Sequence, residues 1–296
     1  MPNGADATVV IGIVTYNHRN FIGQCLDSLK GLSRVNSVKV MVVDNGSSDG
    51  SAELIRDQYP WVELIVQKRS HSFAANNNRA FAQHPSEYFL MLNPDTVIGE
   101  GAVEALVRFM EAHRECGACG PQLVFPDGSL QLSCRQFPTL WSTLLRRSPL
   151  RLCLPKNLRG SKHLMARISH DRAMQVDWLL GACVLVRRRA IAGPILLDEA
   201  FQLYCEEIDL CLRLLKGGWQ THYVPSARVV HHHLAKSDSK LFCRESLLHV
   251  QSMLHFVKKH YLSLSRGTSA QPGITDAKDL VWDQGGIASS QRPTLL

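Results

Sequence analysis

The sequence lacks both glycine-rich fingerprints that usually cradle nucleotide phosphates. Neither GxGxxG nor GxxxxGK[ST] occurs in its 296 residues, which excludes the ordinary dinucleotide fold signature and the P-loop. No apolar run approaches the roughly 18 residues that a membrane-spanning helix needs. The N-terminal stretch MPNGADATVVIGIVTYN has no basic n-region and leads straight into a strand pattern, so no secretory leader is expected. The nine cysteines are scattered and odd in number, which argues against a disulfide framework and for a reducing, cytoplasmic compartment. One CxxC is present, Cys116-Gly-Ala-Cys119. It has no second pair to complete a zinc site, and it runs into GPQLVF rather than opening a helix as a redox motif would.

Acid is also missing from one long stretch. Between Asp127 and Asp171 there is no Asp or Glu, while Arg135, Arg146, Arg147, Arg151, Lys156, Arg159, Lys162 and Arg167 all fall there. Leucines, Phe137 and Trp141 are interleaved with them. The net charge of +7 points to an anionic partner. Three readings of the segment stay open: a seat on an anionic membrane surface, a nucleic-acid contact, or a solvated loop over the core.

What is there reads as α/β. Strand patterns at residues 8–14, 39–43, 62–66 and 88–92 alternate with helical patterns at 21–32, 51–59, 73–83 and 102–113. Such alternation predicts parallel βαβ units. Beyond Pro121 the pattern changes. LVFPDGSLQLSCR predicts a hairpin about Pro-Asp-Gly, residues 176–187 a strand region, and 220–224 and 228–230 short strands. Helices are expected within 201–218 and over 242–261. The tail from 263 to 296, rich in Ser, Gly, Thr, Gln and Pro, is expected to be flexible.

Three polar clusters follow strands: Thr15-Tyr16-Asn17, Asp44-Asn45-Gly46 and Asn93-Pro94-Asp95. In a parallel sheet all three lie on the carboxyl edge, where open α/β sheets bind ligands. A carboxylate there accepts from a base or ribose, and small turn residues let backbone approach, so a nucleotide is the expected ligand. Each cluster taken alone also reads as a plain Asx-type turn.

In the second half, Glu206, Glu207 and Asp209 open a helix that stops at Gly217-Gly218. Acidic residues in a first turn suit the helix dipole. A close carboxylate pair there can also hold one member with a raised pKa, as a general base requires. Asp209 and Arg213, spaced i,i+4, read as a structural pair. His231, His232 and His233 follow a short strand. Beside carboxylates they suggest a metal, and Asp with His suits Mg²⁺ or Mn²⁺.

As an ordered set, VTYN, VVDNGSSDGS, FAANNNRAF, FLMLNPDT, GPQLVFPDGSLQLSCRQFP, GACVLVRR, LYCEEIDLCLRLLKGGW and VVHHH resemble bacterial family 2 glycosyltransferases over about residues 8–260. Within that family the likeness is to the rhamnosyltransferase-type enzymes of polysaccharide assembly. The resemblance implies one GT-A domain over 1–262: a nucleotide-sugar half at about 8–120, and a smaller mixed acceptor-side half at 121–262. It implies an inverting transfer from a nucleotide-sugar, with dTDP-rhamnose favoured, to a lipid-linked or cell-surface glycan, with a divalent metal, Mg²⁺ or Mn²⁺. The alternatives are a UDP-sugar donor or a non-catalytic nucleotide-sugar binder. Nucleic acid is not among the partners so implied. The expected location is cytoplasmic, with peripheral attachment to the inner face of the membrane through 135–167.

By the same resemblance, Thr15, Tyr16, Asn17 and Asp44 line the nucleotide pocket. Asn77, Asn78 and Arg79 approach the nucleotide, and Asn93-Pro94-Asp95 stands for the metal-binding Asp-x-Asp, with Asp95 the main contact. Glu207 takes the base position beside Glu206, and His231 is a further metal contact. Two positions depart from the family pattern: Ser72 where Gly is usual, and Glu207 where Asp is usual.

Overall fold

A computed structural model describes residues 7–32, 37–137, 165, 168–201, 204–232 and 244–262. The basic segment 135–167 therefore lies outside the described residues except for 135–137 and 165, as do His233 and the tail from 263 onward.

The first half follows the βαβ rhythm. β1 (Ala7–Thr15), α1 (Arg19–Leu29), β2 (Val38–Asp44), α2 (Ser51–Gln58), β3 (Glu63–Val66), α3 (Phe73–Gln83) and β4 (Ser86–Leu92) alternate along the chain. The strands stand in the order β3-β2-β1-β4, all parallel. The apolar runs of β1, β2 and β4 are continuous because both faces are covered, whereas β3, at the sheet edge, is only partly buried. Val9, Ile11 and Ile13 of β1 pack with Ile22 and Leu26 of α1 on one face. Val10, pointing the other way, packs with Ala74 and Phe81 of α3. Ser72 is the N-cap of α3: its side chain accepts from the Ala75 N–H at 3.2 Å.

Pro94 ends β4, as expected from its missing N–H. A short strand the sequence did not announce, β5 (Thr96–Ile98), turns off immediately. It is followed by α4 (Ala102–Ala112) and β6 (Cys116–Val124), then by the predicted hairpin through β7 (Leu130–Gln131) and by β8 (Cys134–Arg135). Residues 176–187 do not form one strand region. They divide among β9 (Met174–Val176), β10 (Trp178–Leu179) and β11 (Cys183–Arg187). Conversely, the two short strands expected at 220–230 are one, β12 (Gln220–His231), with register breaks at Gln220/Thr221 and Val224/Arg228. Pro225 sits in the second break, where a ladder N–H is not needed.

The full sheet runs β3-β2-β1-β4-β11-β6-β12-β5. β11 is antiparallel to both neighbours, and β5 is antiparallel to β12. The sheet is parallel over β3-β2-β1-β4 and mixed beyond. Two further helices, α5 (Glu206–Lys216) and α6 (Arg244–Val257), close the molecule, with a π turn over Lys258–Leu262. Ile208 and Leu212 of α5 pack on Phe256 of α6. Asp209 ties the two together: Arg213 Nε, Lys259 Nζ and His260 Nε2 each lie 2.7 Å from its carboxylate. Those partners hold the buried carboxyl far below the usual range. The i,i+4 pair read from the sequence is thus one arm of a larger clamp.

No helix among the described residues is long and apolar enough to cross a membrane. Cys116 and Cys119 are buried on β6.

Candidate active site

Strand register brings the polar clusters to one level. Thr15 is the partner of Asp44 across β1 and β2, and Ile13 is the partner of Leu92 across β1 and β4. The loops past those ends are knitted to one another. The Asn45 N–H donates to Thr15 O and the Gln67 N–H to Asp44 O, both at 2.8 Å. Asn17, in the left-handed region at φ 56°, accepts the Ser48 N–H on Oδ1 and donates its own N–H to Ser47 Oγ, both at 2.9 Å. Asn45 exchanges three bonds with Ser70 and His71.

Within this frame two polar atoms are buried without partners. Asp44 uses Oδ1 to accept the N–H groups of Gly46 and Ser47, at 3.1 and 2.9 Å, but its Oδ2 has no hydrogen bond. Thr15 Oγ1 is in the same condition. A buried acceptor left open costs about 1–3 kcal/mol, and a ligand donor at this edge would remove that cost. Tyr16, 51% exposed, stands at the rim.

The Asn-Asn-Arg segment on α3 is divided by the helix. Asn77 donates to its own turn at Phe73 O. The Asn78 amide is committed elsewhere: it donates to Leu197 O and Glu199 Oε1 and accepts the Leu197 N–H, so it straps the 197–199 loop to the helix. Arg79 is exposed, with its guanidinium 3.4 Å from Gln67 Oε1. Asn76 was not expected at the site. It is fully buried, accepts from Gln67 Nε2, and leaves Nδ2 without a partner. Asn76, Asn78 and Arg79 line an open cavity of about 380 Å³, with Gln67, His71 and Glu199. The signal for Asn76 was present in the asparagine run, but only the helical phase separates its members.

Asn93 is held by its backbone. Its N–H donates to Ala182 O at 2.8 Å, and its carbonyl accepts from Thr96 Oγ1 at 2.7 Å. Asp95 follows, 7% exposed, with Oδ1 3.5 Å from His231 Nε2. The meeting depends on β5: His231 is the register partner of Thr96, and the His232 N–H donates to Asp95 O. His232 lies apart, with its ring 5.3 Å from that of Phe21. A buried oxygen donor and a buried nitrogen donor side by side fit a divalent cation of the Mg²⁺ or Mn²⁺ type. Among the described residues no three His, Cys, Asp or Glu side chains gather into a metal cage. A cation here would draw its other ligands from phosphate and water, as Mg²⁺ commonly does.

The carboxylate pair stands at the start of α5, after Tyr204 and Cys205, which are both at positive φ (67° and 72°). Two successive non-glycine residues in that region are strained backbone of the kind found where side chains are aimed for function. Burial, and then the neighbouring Glu207 charge, push the Glu206 carboxyl up to about 8; its Oε1 has no partner. Burial raises Glu207 as well, against a Gly181 backbone contact that favours its charged form. Glu207 lies directly on Gly181, where an added Cβ would sit 3.2 Å from Oε1. Gly181 precedes Ala182, whose carbonyl holds Asn93. The pair and the Asn93–Asp95 turn are thus joined by one short backbone link, through Glu207 on Gly181 and Ala182 on Asn93.

The description "Glycosyl transferase family 2" belongs to a family model that matches residues 10–179. The N-acetylglucosaminyl-diphospho-decaprenol L-rhamnosyltransferase of Mycobacterium tuberculosis is 34% identical over 230 residues, covering 74% of this chain and 74% of that protein. Rhamnosyltransferase WbbL of Escherichia coli K12 is 28% identical over 267 residues, covering 86% and 95%. Among solved structures, a mannosyltransferase from Pyrobaculum calidifontis in complex with GDP-Man and Mn²⁺ superposes with a TM-score of 0.55 at 14% identity, over 90% of this chain and 68% of that one. That last likeness is one of fold, and the fold is GT-A-like.

Proposed function

The chain belongs to glycosyl transferase family 2, and from that premise we propose that it transfers rhamnose from dTDP-rhamnose to a hydroxyl of a lipid-linked or polysaccharide acceptor, with inversion at the anomeric carbon. The names of the two relatives support the sugar, and the first also supports a polyprenyl-diphosphate acceptor. The observation that carries the reading is the shared link between the two acidic sites: Glu207 on Gly181, and Ala182 on Asn93, two residues before Asp95.

In this reading Asp44 and Thr15 accept from the base or ribose, with Tyr16 and Asn17 shaping the rim. Arg79 meets donor phosphate, Asn77 orders the helix beside it, and Asn78 acts by strapping the 197–199 loop. Asn93 sets the turn that aims Asp95. A divalent cation held by Asp95 and His231 would neutralise charge on the departing nucleoside diphosphate. Glu207 takes the proton of the acceptor hydroxyl, whose oxygen attacks the sugar carbon opposite the leaving diphosphate. One displacement inverts the centre. Glu206, buried beside Glu207, lowers its neighbour's proton affinity through a side-chain hydrogen bond, while burial raises it. The basic segment 135–167 serves as the membrane-facing side; Arg→Glu changes there should release the protein from anionic vesicles.

The test is a donor-hydrolysis screen: protein with Mg²⁺ or Mn²⁺, a panel of nucleotide sugars, and nucleoside diphosphate release as readout. Release from dTDP-rhamnose, lost in Asp95→Asn and reduced in Glu207→Gln, is expected. Release from a UDP-sugar alone would replace the donor. Absence of any nucleotide binding would overturn the catalytic reading.

A further inference from the structure

The hairpin motif PDGSLQLSCR has no part in the reading above, yet it delivers one buried side chain to the site. Gln131 is 5% exposed and its Oε1 lies 2.8 Å from His231 Nδ1. The fold makes this meeting. β7 pairs with β6 through Leu123 and Gln131, and β12 pairs with the other side of β6 through Leu123 and Val229. Register partners project from the same face. Gln131, Val229 and hence His231, two residues on, therefore share one face at the end of β6. An amide oxygen only accepts, so the proton of a neutral His231 sits on Nδ1. The other nitrogen, Nε2, then turns an unprotonated edge to Asp95 Oδ1. Two acceptors facing each other are stable only with a cation or proton between them. The opposite amide orientation would place the proton on Nε2 and remove the nitrogen donor from the site.

We propose that Gln131 is a positioning residue that fixes the Nδ1–H tautomer of His231 and so presents Nε2 beside Asp95 as a cation ligand. This rests on the metal reading for its purpose but not for its geometry. An orienting partner on the second ring nitrogen is worth about 10–100-fold in metal affinity in comparable sites.

The experiment records long-range ¹H–¹⁵N spectra of protein with ¹⁵N-labelled histidine rings, at a pH where His231 is neutral, with His231→Asn used to assign the signal. Mn²⁺ affinity in the presence of a nucleoside diphosphate is measured alongside. Wild type should show Nδ1 protonated. Gln131→Leu should lose that preference and weaken Mn²⁺ by about 10–100-fold. Gln131→Glu, which keeps the acceptor, should restore the tautomer and the affinity, separating positioning from misfolding. An Nε2–H tautomer in wild type, or the same tautomer in Gln131→Leu, overturns the proposal. Nδ1 protonation that depends on Gln131, together with no Mn²⁺ binding by any variant, would uphold the tautomer, overturn the ligand role and count against the metal reading alone.

Discussion

The two edges of the central sheet are built on opposite terms. At the amino edge, where α3 and α4 end, Arg187 and Arg188 leave β11 on opposite faces and meet the exposed carbonyls of the two helices. Arg187, 3% exposed, donates to Met110 O and His113 O beyond α4, to Cys116 O and to Tyr88 Oη. Arg188 donates to Phe81 O and His84 O beyond α3, with its guanidinium 3.9 Å above the Phe81 ring. Cations at helix C-termini also suit the helix dipoles. The carboxyl edge does the reverse: Asp44 Oδ2, Thr15 Oγ1, Asn76 Nδ2 and Glu206 Oε1 are buried without partners. At the amino edge the two arginines satisfy helix-terminal carbonyls and stabilise the fold, although Trp61 Nε1 and His222 Nδ1 are also buried there without partners. The carboxyl edge leaves its four open, which costs stability unless a ligand binds. Buried polar groups are normally satisfied, and at the carboxyl edge four that are not stand among or next to the candidate site residues.

That contrast can be broken from either edge. The largest effect is expected at the carboxyl edge: Glu207→Gln should lower kcat by about 10²–10⁴-fold, the usual loss on removing a general base, while the thermal midpoint does not fall. Steady-state kinetics beside a melting curve checks both halves. At the amino edge the outcome should invert. Arg187→Met strands several buried carbonyls and should cost about 3 kcal/mol, from roughly 1 kcal/mol or more for each lost partner. Urea denaturation measures that loss, and the folded fraction should keep its kcat.

Gly181→Ala probes the link between the acidic sites. A methyl group 3.2 Å from Glu207 Oε1 displaces the carboxylate by a few tenths of an ångström, and kcat should fall roughly tenfold, given that misplacement by about 1 Å can cost 10²-fold. Stability should change little. A Gly181→Ala enzyme with unaltered kcat would remove Glu207 from the reacting position.

A further effect is a pH dependence. A carboxyl raised from 4.5 to about 8 in the folded protein keeps its proton where the unfolded chain has lost it. Its neutral form is favoured by folding, so stability is greatest below about pH 4.5 and declines as pH rises toward about 8. Glu206→Gln should remove this part of the slope. Denaturation of wild type and variant across that interval checks it; parallel curves would mean that Glu206 is not held in its neutral form.

Much of the first half of the chain was legible because its determinants are local. Pro94 stops β4 whatever surrounds it, an apolar run of five residues reads as a covered strand, and Asp209 and Arg213 are neighbours by helical spacing alone. Less was legible past Pro121. The antiparallel insertion of β11 between β4 and β6 pairs residues about a hundred positions apart, such as Arg187 with Tyr88, and no local pattern encodes such a partner. The asparagine run shows the limit inside one motif: Asn76, Asn77 and Asn78 are alike in sequence, and only the rotation of α3 brings Asn76 and Asn78 to the cavity, Asn78 also to the 197–199 strap, and leaves Asn77 on its own helix.

By itself the sequence determined the residue types and their order: an aspartate after a buried strand, an adjacent glutamate pair opening a helix, histidines ending a strand, and the family to which that order belongs. The tertiary structure decided which of them meet. Asp95 reaches His231 because β5 pairs antiparallel with β12, Gln131 reaches the same histidine because β7 takes the far side of β6, and Glu207 reaches the Asn93 turn through Gly181 and Ala182. Each meeting depends on strand register between distant segments, and register is set by which faces can be buried together.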